Sequence, residues 1–148
     1  MDVPSSGKLV GVYLGQSKGA GKRSADSAEL VVDFGLRGDS HAGRDLRRQV
    51  SLFAAERLQE LLSEGFEISA GELAANLITE NIAIDSLEPR TRLRVGETEL
   101  EIVEPRSVCR SITRIDIRLP KRLHGQCGQL ARVVKGGSVH PGDDVVIS

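Results

Sequence analysis

One thiol has the setting that chemistry needs. Cys109 lies in EPRSVCRSITR (residues 104–114), with Arg106 and Arg110 close on either side. Positive charge beside a cysteine favours the thiolate, which is both the nucleophile and the soft metal ligand. The segment directly follows the β-rich run Thr98 to Val103, and a polar loop at a strand end is where a scaffold displays a reactive group. A small buried residue at a barrel wall explains the same cysteine equally well from local context alone. A second grouping is GDSHAG (residues 38–43), in which His41 is flanked by glycines, with Arg48 and Gln49 seven and eight positions on. Such a histidine beside arginines suits contact with an oxyanion, and equally suits a turn bonded to its own backbone.

Two rival chemistries fail on spacing. A phosphate loop needs Gly, four residues, then Gly-Lys-Ser/Thr. In GQSKGAGKRS the pair Gly21-Lys22 is followed by Arg23, and Gln16 stands five positions before Gly21. The stretch reads as a flexible basic loop. His41, His124, His140, Cys109 and Cys127 show neither CxxC nor HExxH spacing, and His124 with Cys127 supplies two of the four ligands of a zinc cage.

Charge distribution narrows the ligand class. The net charge is −1, but residues 54–104 carry twelve acidic against four basic residues, whereas residues 105–124 carry six basic against one acidic. Arg37, Arg44, Arg47 and Arg48 form a second basic cluster. Two local basic segments in a nearly neutral chain point to a small anionic ligand, with solvated surface charge as the plain alternative. At 3% aromatic residues and no Trp, base stacking is a poor expectation, so no nucleic-acid partner is predicted. No apolar run approaches a membrane span, and no N-terminal apolar core suggests export. The expected setting is cytoplasmic, with both thiols reduced.

The scaffold reads as one domain over residues 1–148, mainly β, a closed or nearly closed barrel of short strands with one or two short helices. Strands are expected at Lys8 to Leu14, Glu29 to Phe34, Asn81 to Ile84, Arg92 to Val95, Thr98 to Val103, Gln129 to Val134 and Asp144 to Ile147. A helix capped by Ser51 presents Phe53, Leu58, Leu61 and Leu62 on one face, ends at Gly65 and lets Phe66 fold back. Ser69 and Glu72 have capping-box spacing for a second short helix. Ser111 to Leu119 fits either periodicity.

Taken in order, GLRGDSHAG (35–43), RQVSL (48–52), TENIAI (79–84), VGETELEIVEPRSVC (95–109) and GQLARVVKGGSVHPGDDV (128–145) resemble the MOSC family, named for the C-terminal domain of molybdenum cofactor sulfurase. The resemblance implies a β-barrel that handles molybdenum cofactor, a molybdopterin with a dithiolene-bound metal and a phosphate. It places Cys109 as molybdenum ligand or sulfur carrier, with Ser107 near the cofactor and His41, Arg48, Asn81 and Arg106 as further cofactor-binding positions. Val108 stands where the family often has proline. No aminotransferase-like segment with a pyridoxal phosphate lysine is present, so sulfur would come from a separate donor protein. The leading function implied is cofactor binding or sulfur carriage through a reactive cysteine. The alternatives are a small molybdenum-dependent reductase of N-hydroxylated compounds served by a separate electron donor, and a non-catalytic interaction domain with a structural cysteine.

Overall fold

A computed structural model describes residues 6–15, 21–40, 42–43, 45, 49–108 and 110–148. Its strands are β1 (Ser6–Leu14), β2 (Arg23–Ser24), β3 (Ala28–Val31), β4 (Gly35–Leu36), β5 (Val50–Ala54), β6 (Leu77–Glu80), β7 (Arg92–Val95), β8 (Thr98–Pro105), β9 (Gln129–Lys135), β10 (Gly137–Val139) and β11 (Asp144–Ile147). Helices α1 (Ala55–Ser63) and α2 (Ala70–Leu73) join β5 to β6, and α3 (Leu119–Arg122) precedes β9. Seven strands pair in the order β11-β7-β8-β9-β5-β6-β1, and β1 pairs with β11 to close the barrel. β5 and β6 run parallel, which their helical crossover permits; the other barrel pairs are antiparallel.

Side chains alternate across the barrel wall. Leu9, Leu52, Leu77, Leu93, Leu100, Ala131, Val133 and Val145 belong to an interior cluster. Phe53 and Ile78 face outward into a second cluster with Leu61, Leu73, Ile112, Leu119, Leu123 and Cys127, so α1, α2 and α3 form an outer layer. The small sheet β10-β3-β4 adds Leu30, Leu36 and Val139 to the interior cluster at the mouth where β5 begins. Ile82 and Ile84, which follow β6, fill the opposite mouth.

Two local expectations are corrected and one open stretch is settled. Ser51 does not cap a helix. Val50–Ala54 pairs with both β6 and β9, the helix starts at Ala55, and its N-cap, Ala54, makes no side-chain capping bond. The apolar face read as helical is split: Phe53 belongs to the strand. The strand expected over Asn81 to Ile84 lies earlier, at Leu77–Glu80, because Asn81 adopts φ 61° and breaks the ladder, and a 3₁₀ turn follows at Ile84–Ser86. The ambiguous Ser111 to Leu119 stretch becomes a 3₁₀ turn over Arg110–Arg114 and then the start of α3. By contrast, Gly65 (φ 95°) does end α1, with its amide on the Leu62 carbonyl and the Phe66 amide on the Leu61 carbonyl. The Ser69–Glu72 capping box also forms.

Freed from capping, Ser51 fastens β5 to the segment entering β6. The Asn76 Oδ1 accepts from both the amide and hydroxyl of Ser51 (3.0 and 3.1 Å), and the Asn76 Nδ2 donates to the Tyr13 carbonyl (3.1 Å). Asn76 is buried, so Asn76→Ala strands these groups and is expected to cost about 2–3 kcal/mol. The expected readout is a lower urea midpoint with unchanged slope. A midpoint equal to wild type would show that the network adds nothing to stability.

Candidate functional site

The segment before Cys109 is held by main-chain bonds where β8 leaves the sheet. Pro105 is level with Gln129 on β9, and the Arg106 amide donates to the Gly128 carbonyl (3.0 Å). The Gly128 amide donates in turn to Asp85 Oδ1 (2.8 Å), and Asp85 Oδ2 accepts from Arg57 of α1 (3.1 Å). The exit of β8 is therefore tied to the start of β9, to the turn after β6 and to α1.

From that anchored backbone the Arg106 side chain reaches the outer layer. Its Nη2 donates to the Leu73 carbonyl at the end of α2 (2.7 Å). Its Nη1 is buried with no hydrogen-bond partner among the described residues. A buried guanidinium N–H without an acceptor is costly, and an anionic oxygen is the acceptor that compensates it best. Ser107 is exposed beside it, and Val108 packs against the second cluster with Ile115. Cys109 lies outside the described residues, between Val108 and the 3₁₀ turn that begins at Arg110.

Much of the basic segment is structural. Arg122 grips Glu64 at the end of α1 with two bonds (2.6 and 2.7 Å), and this contact, chiefly its hydrogen bonding, holds the Glu64 carboxyl below its usual range. Arg118 lies 4.7 Å from the Phe66 ring centroid and pairs with Asp116, pulling that carboxyl down to about 2, mainly by side-chain hydrogen bonding. These two arginines clamp α3 and its preceding turn to the α1 end of the layer. Arg106 keeps an uncommitted buried donor.

The GDSHAG segment is fixed by Asp39. The Asp39 Oδ1 accepts from the Gly15 amide (2.8 Å) and from Lys22 Nζ (2.7 Å), while the Ser40 amide donates to the Gly15 carbonyl (2.7 Å). The side chains of Lys22 and Asp39 are 2% and 0% exposed. Lys22 thus departs from the expected flexible basic loop: it is a buried counter-ion. His41 and Arg48 lie outside the described residues. The next residue, Gln49, is buried, with its Oε1 accepting from the Val133 amide (2.9 Å).

The two signature segments are linked through α2 and Lys22. Arg106 bonds the Leu73 carbonyl, and the Lys22 amide donates to the carbonyl of Gly71 in the same helix (2.9 Å). Asn81 bonds a different helix. It is exposed beyond β6, and its amide donates to Glu56 Oε2 of α1 (2.7 Å). Sequence reading missed Lys22 and Asp39 as a pair. The acid was visible inside GDSHAG, but nothing local ties it to a lysine seventeen positions earlier.

Among the described residues, no group of three or more His, Cys, Asp or Glu side chains converges as a metal site. No helix among them is long and apolar enough to cross a membrane.

Comparisons with known proteins agree with this architecture. The MOSC domain family matches residues 37–146. The YuaD protein of Bacillus subtilis is similar in structure, with a TM-score of 0.85 at 20% identity over 96% of this chain and 95% of that one. YiiM of Geobacillus stearothermophilus gives 0.77 at 17% identity over 96% and 75%, and YiiM of Escherichia coli gives 0.70 at 23% over 98% and 70%. At these identities the likeness concerns the fold. No curated protein matches the sequence. The family match covers most of the chain, including both signature segments, and the protein belongs to the MOSC domain family.

Proposed function

We propose that this domain binds molybdenum cofactor, or its molybdopterin part, with the Cys109 thiolate serving as metal ligand or as carrier of sulfur. The observation that carries the reading is the buried Nη1 of Arg106, without a partner among the described residues and three positions before that cysteine. Its donor chemistry fits a phosphate or other anionic oxygen. Arg106 would hold the anionic group, Ser107 would offer an exposed hydroxyl, and His41, Arg48 and Asn81 are further proposed contacts. When bound, the cofactor supplies a redox-active metal on a dithiolene. The chain's own part is to orient it, to neutralise its charge and to present a thiolate.

The test is metal and pterin analysis of protein made in a cofactor-competent host, beside Arg106→Gln. Wild type is expected to carry pterin, and the variant about 10–100-fold less at equal cofactor, the value of a charge-assisted hydrogen bond. Wild type that holds neither pterin nor molybdenum under those conditions overturns the reading.

A further inference from the structure

We infer that Lys22 and Asp39 are positioning residues that set the GDSHAG turn against the Arg106 loop, using α2 as the common strut; this rests on the cofactor-binding reading above.

The pair is placed as a fastener would be. Its atoms are 2.7 Å apart, and both side chains are almost wholly withdrawn from solvent. Withdrawn in this way, the two side chains act through what they hold. Asp39 holds the turn: its Oδ1 also takes the Gly15 amide, its carbonyl takes the Ala42 amide (3.2 Å), and its neighbour Ser40 bonds back to Gly15 (2.7 Å). The residues on both sides of His41 are therefore pinned through Asp39 or its immediate neighbour. Lys22 holds the strut, since its amide donates to the Gly71 carbonyl two residues before the Leu73 carbonyl that anchors Arg106.

The contact between strut and loop has no slack. A Cβ built on Gly71 falls 2.3 Å from the Lys22 carbonyl oxygen, and one on Gly15 falls 3.1 to 3.2 Å from the Lys22 side chain and Ser40 Oγ. A shift of Lys22 is thus passed to α2 on one side and to the turn on the other. A buried ion pair contributes little net stability over an apolar pair, so its use here is geometric specificity. A binding constellation needs its supporting groups held to a fraction of an ångström, which is the task this pair performs.

The experiment compares wild type, Lys22→Met, and the neutral double variant Lys22→Met/Asp39→Asn. The double variant removes both charges together and remains informative if the single variant fails to fold. Amide hydrogen exchange is followed at Ser40, Ala42 and Lys22, with amides of the paired strands β7 and β8 as reference. Pterin content after loading is measured on the same preparations. The expected result is about tenfold or faster exchange at the three amides with the reference unchanged, and a comparable drop in retained pterin although Arg106 and Cys109 are intact. Unchanged exchange at the three amides overturns the inference, as does a rise shared equally by the barrel amides, which marks a merely structural pair. Pterin retention equal to wild type, where Arg106→Gln loses it, also overturns the inference and leaves the cofactor reading standing. If wild type holds no pterin, the cofactor reading fails, and the exchange pattern alone decides whether the pair couples turn and strut.

Discussion

Gly128→Ala is expected to destabilise the domain by about 3–5 kcal/mol, the sum of left-handed backbone strain and steric displacement. Gly128 has φ 86°, and a Cβ there would lie 1.9 Å from the Leu52 carbonyl oxygen and 3.0 Å from its carbon. Those atoms are main chain in a strand paired on both sides, so they cannot swing away. Gly125 provides the control. It also has positive φ (73°), but nothing lies within 4 Å of its virtual Cβ, so Gly125→Ala should cost only about 1–2 kcal/mol. For a chain of this size each kcal/mol moves the melting temperature by about 2–4 °C, so the two variants should separate clearly in a thermal scan. The effect extends to the site. The Gly128 peptide takes the Arg106 amide on its carbonyl and gives its own amide to Asp85, so moving it moves the strand that presents Arg106. Variants that melt together would show that the β5–β9 junction yields more easily than its geometry implies.

The barrel was legible because its strongest strands are short alternating runs bounded by glycine and proline. Arg92–Val95 and Asp144–Ile147 form over the residues expected, and the strands around Leu9, Leu100 and Val133 differ from expectation only at their ends. What alternation could not reveal was β5. VSLFA reads as the first turn of the amphipathic helix behind it, and only pairing to β6 and β9 makes it a strand. The two-residue strands β2 and β4 carry no local signal, since their pairing partners alone define them. The shift of β6 has a similar cause. TENIAI is apolar at Ile82 and Ile84, but these residues plug a barrel mouth after the strand has ended.

The candidate site divides along the same line. Cys109, Arg106 and the GDSHAG turn could be picked out by residue type and order. Which arginines keep a buried donor without a partner could not: among the described residues Arg106 Nη1 and Arg57 Nε do, whereas Arg118 and Arg122 are committed to Asp116 and Glu64, the latter fifty-eight positions from its partner. Lys22 illustrates the limit most clearly: in sequence it sits in a Gly-rich basic loop, and in the fold it is a buried counter-ion. Residue chemistry is local, whereas the commitment of a charge depends on contacts between distant segments.

Cys109→Ser is expected to have the largest effect on chemistry, and its pattern separates the two roles proposed for the thiol. Cys127 supplies an internal reference. It is 4% exposed and packed in the outer apolar cluster with Phe53, Ile112 and Leu123, so it should alkylate slowly in the folded protein. Wild type should therefore show one fast thiol toward iodoacetamide at neutral pH, and Cys109→Ser none. If Cys109 ligates molybdenum, the variant should keep pterin and its dithiolene-bound metal through Arg106, yet lose one sulfur neighbour of the metal in X-ray absorption. If Cys109 carries persulfide, the variant should keep the metal's sulfur neighbours and lose cyanide-labile sulfur instead. An Arg106→Gln chain that retains Cys109 should show the reverse, with pterin diminished and the fast thiol still present. Cys109→Ser protein with pterin, labile sulfur and the metal's sulfur coordination all as in wild type would show the thiol to be structural, and would leave Arg106 as the anchor of a domain that binds cofactor without touching its metal.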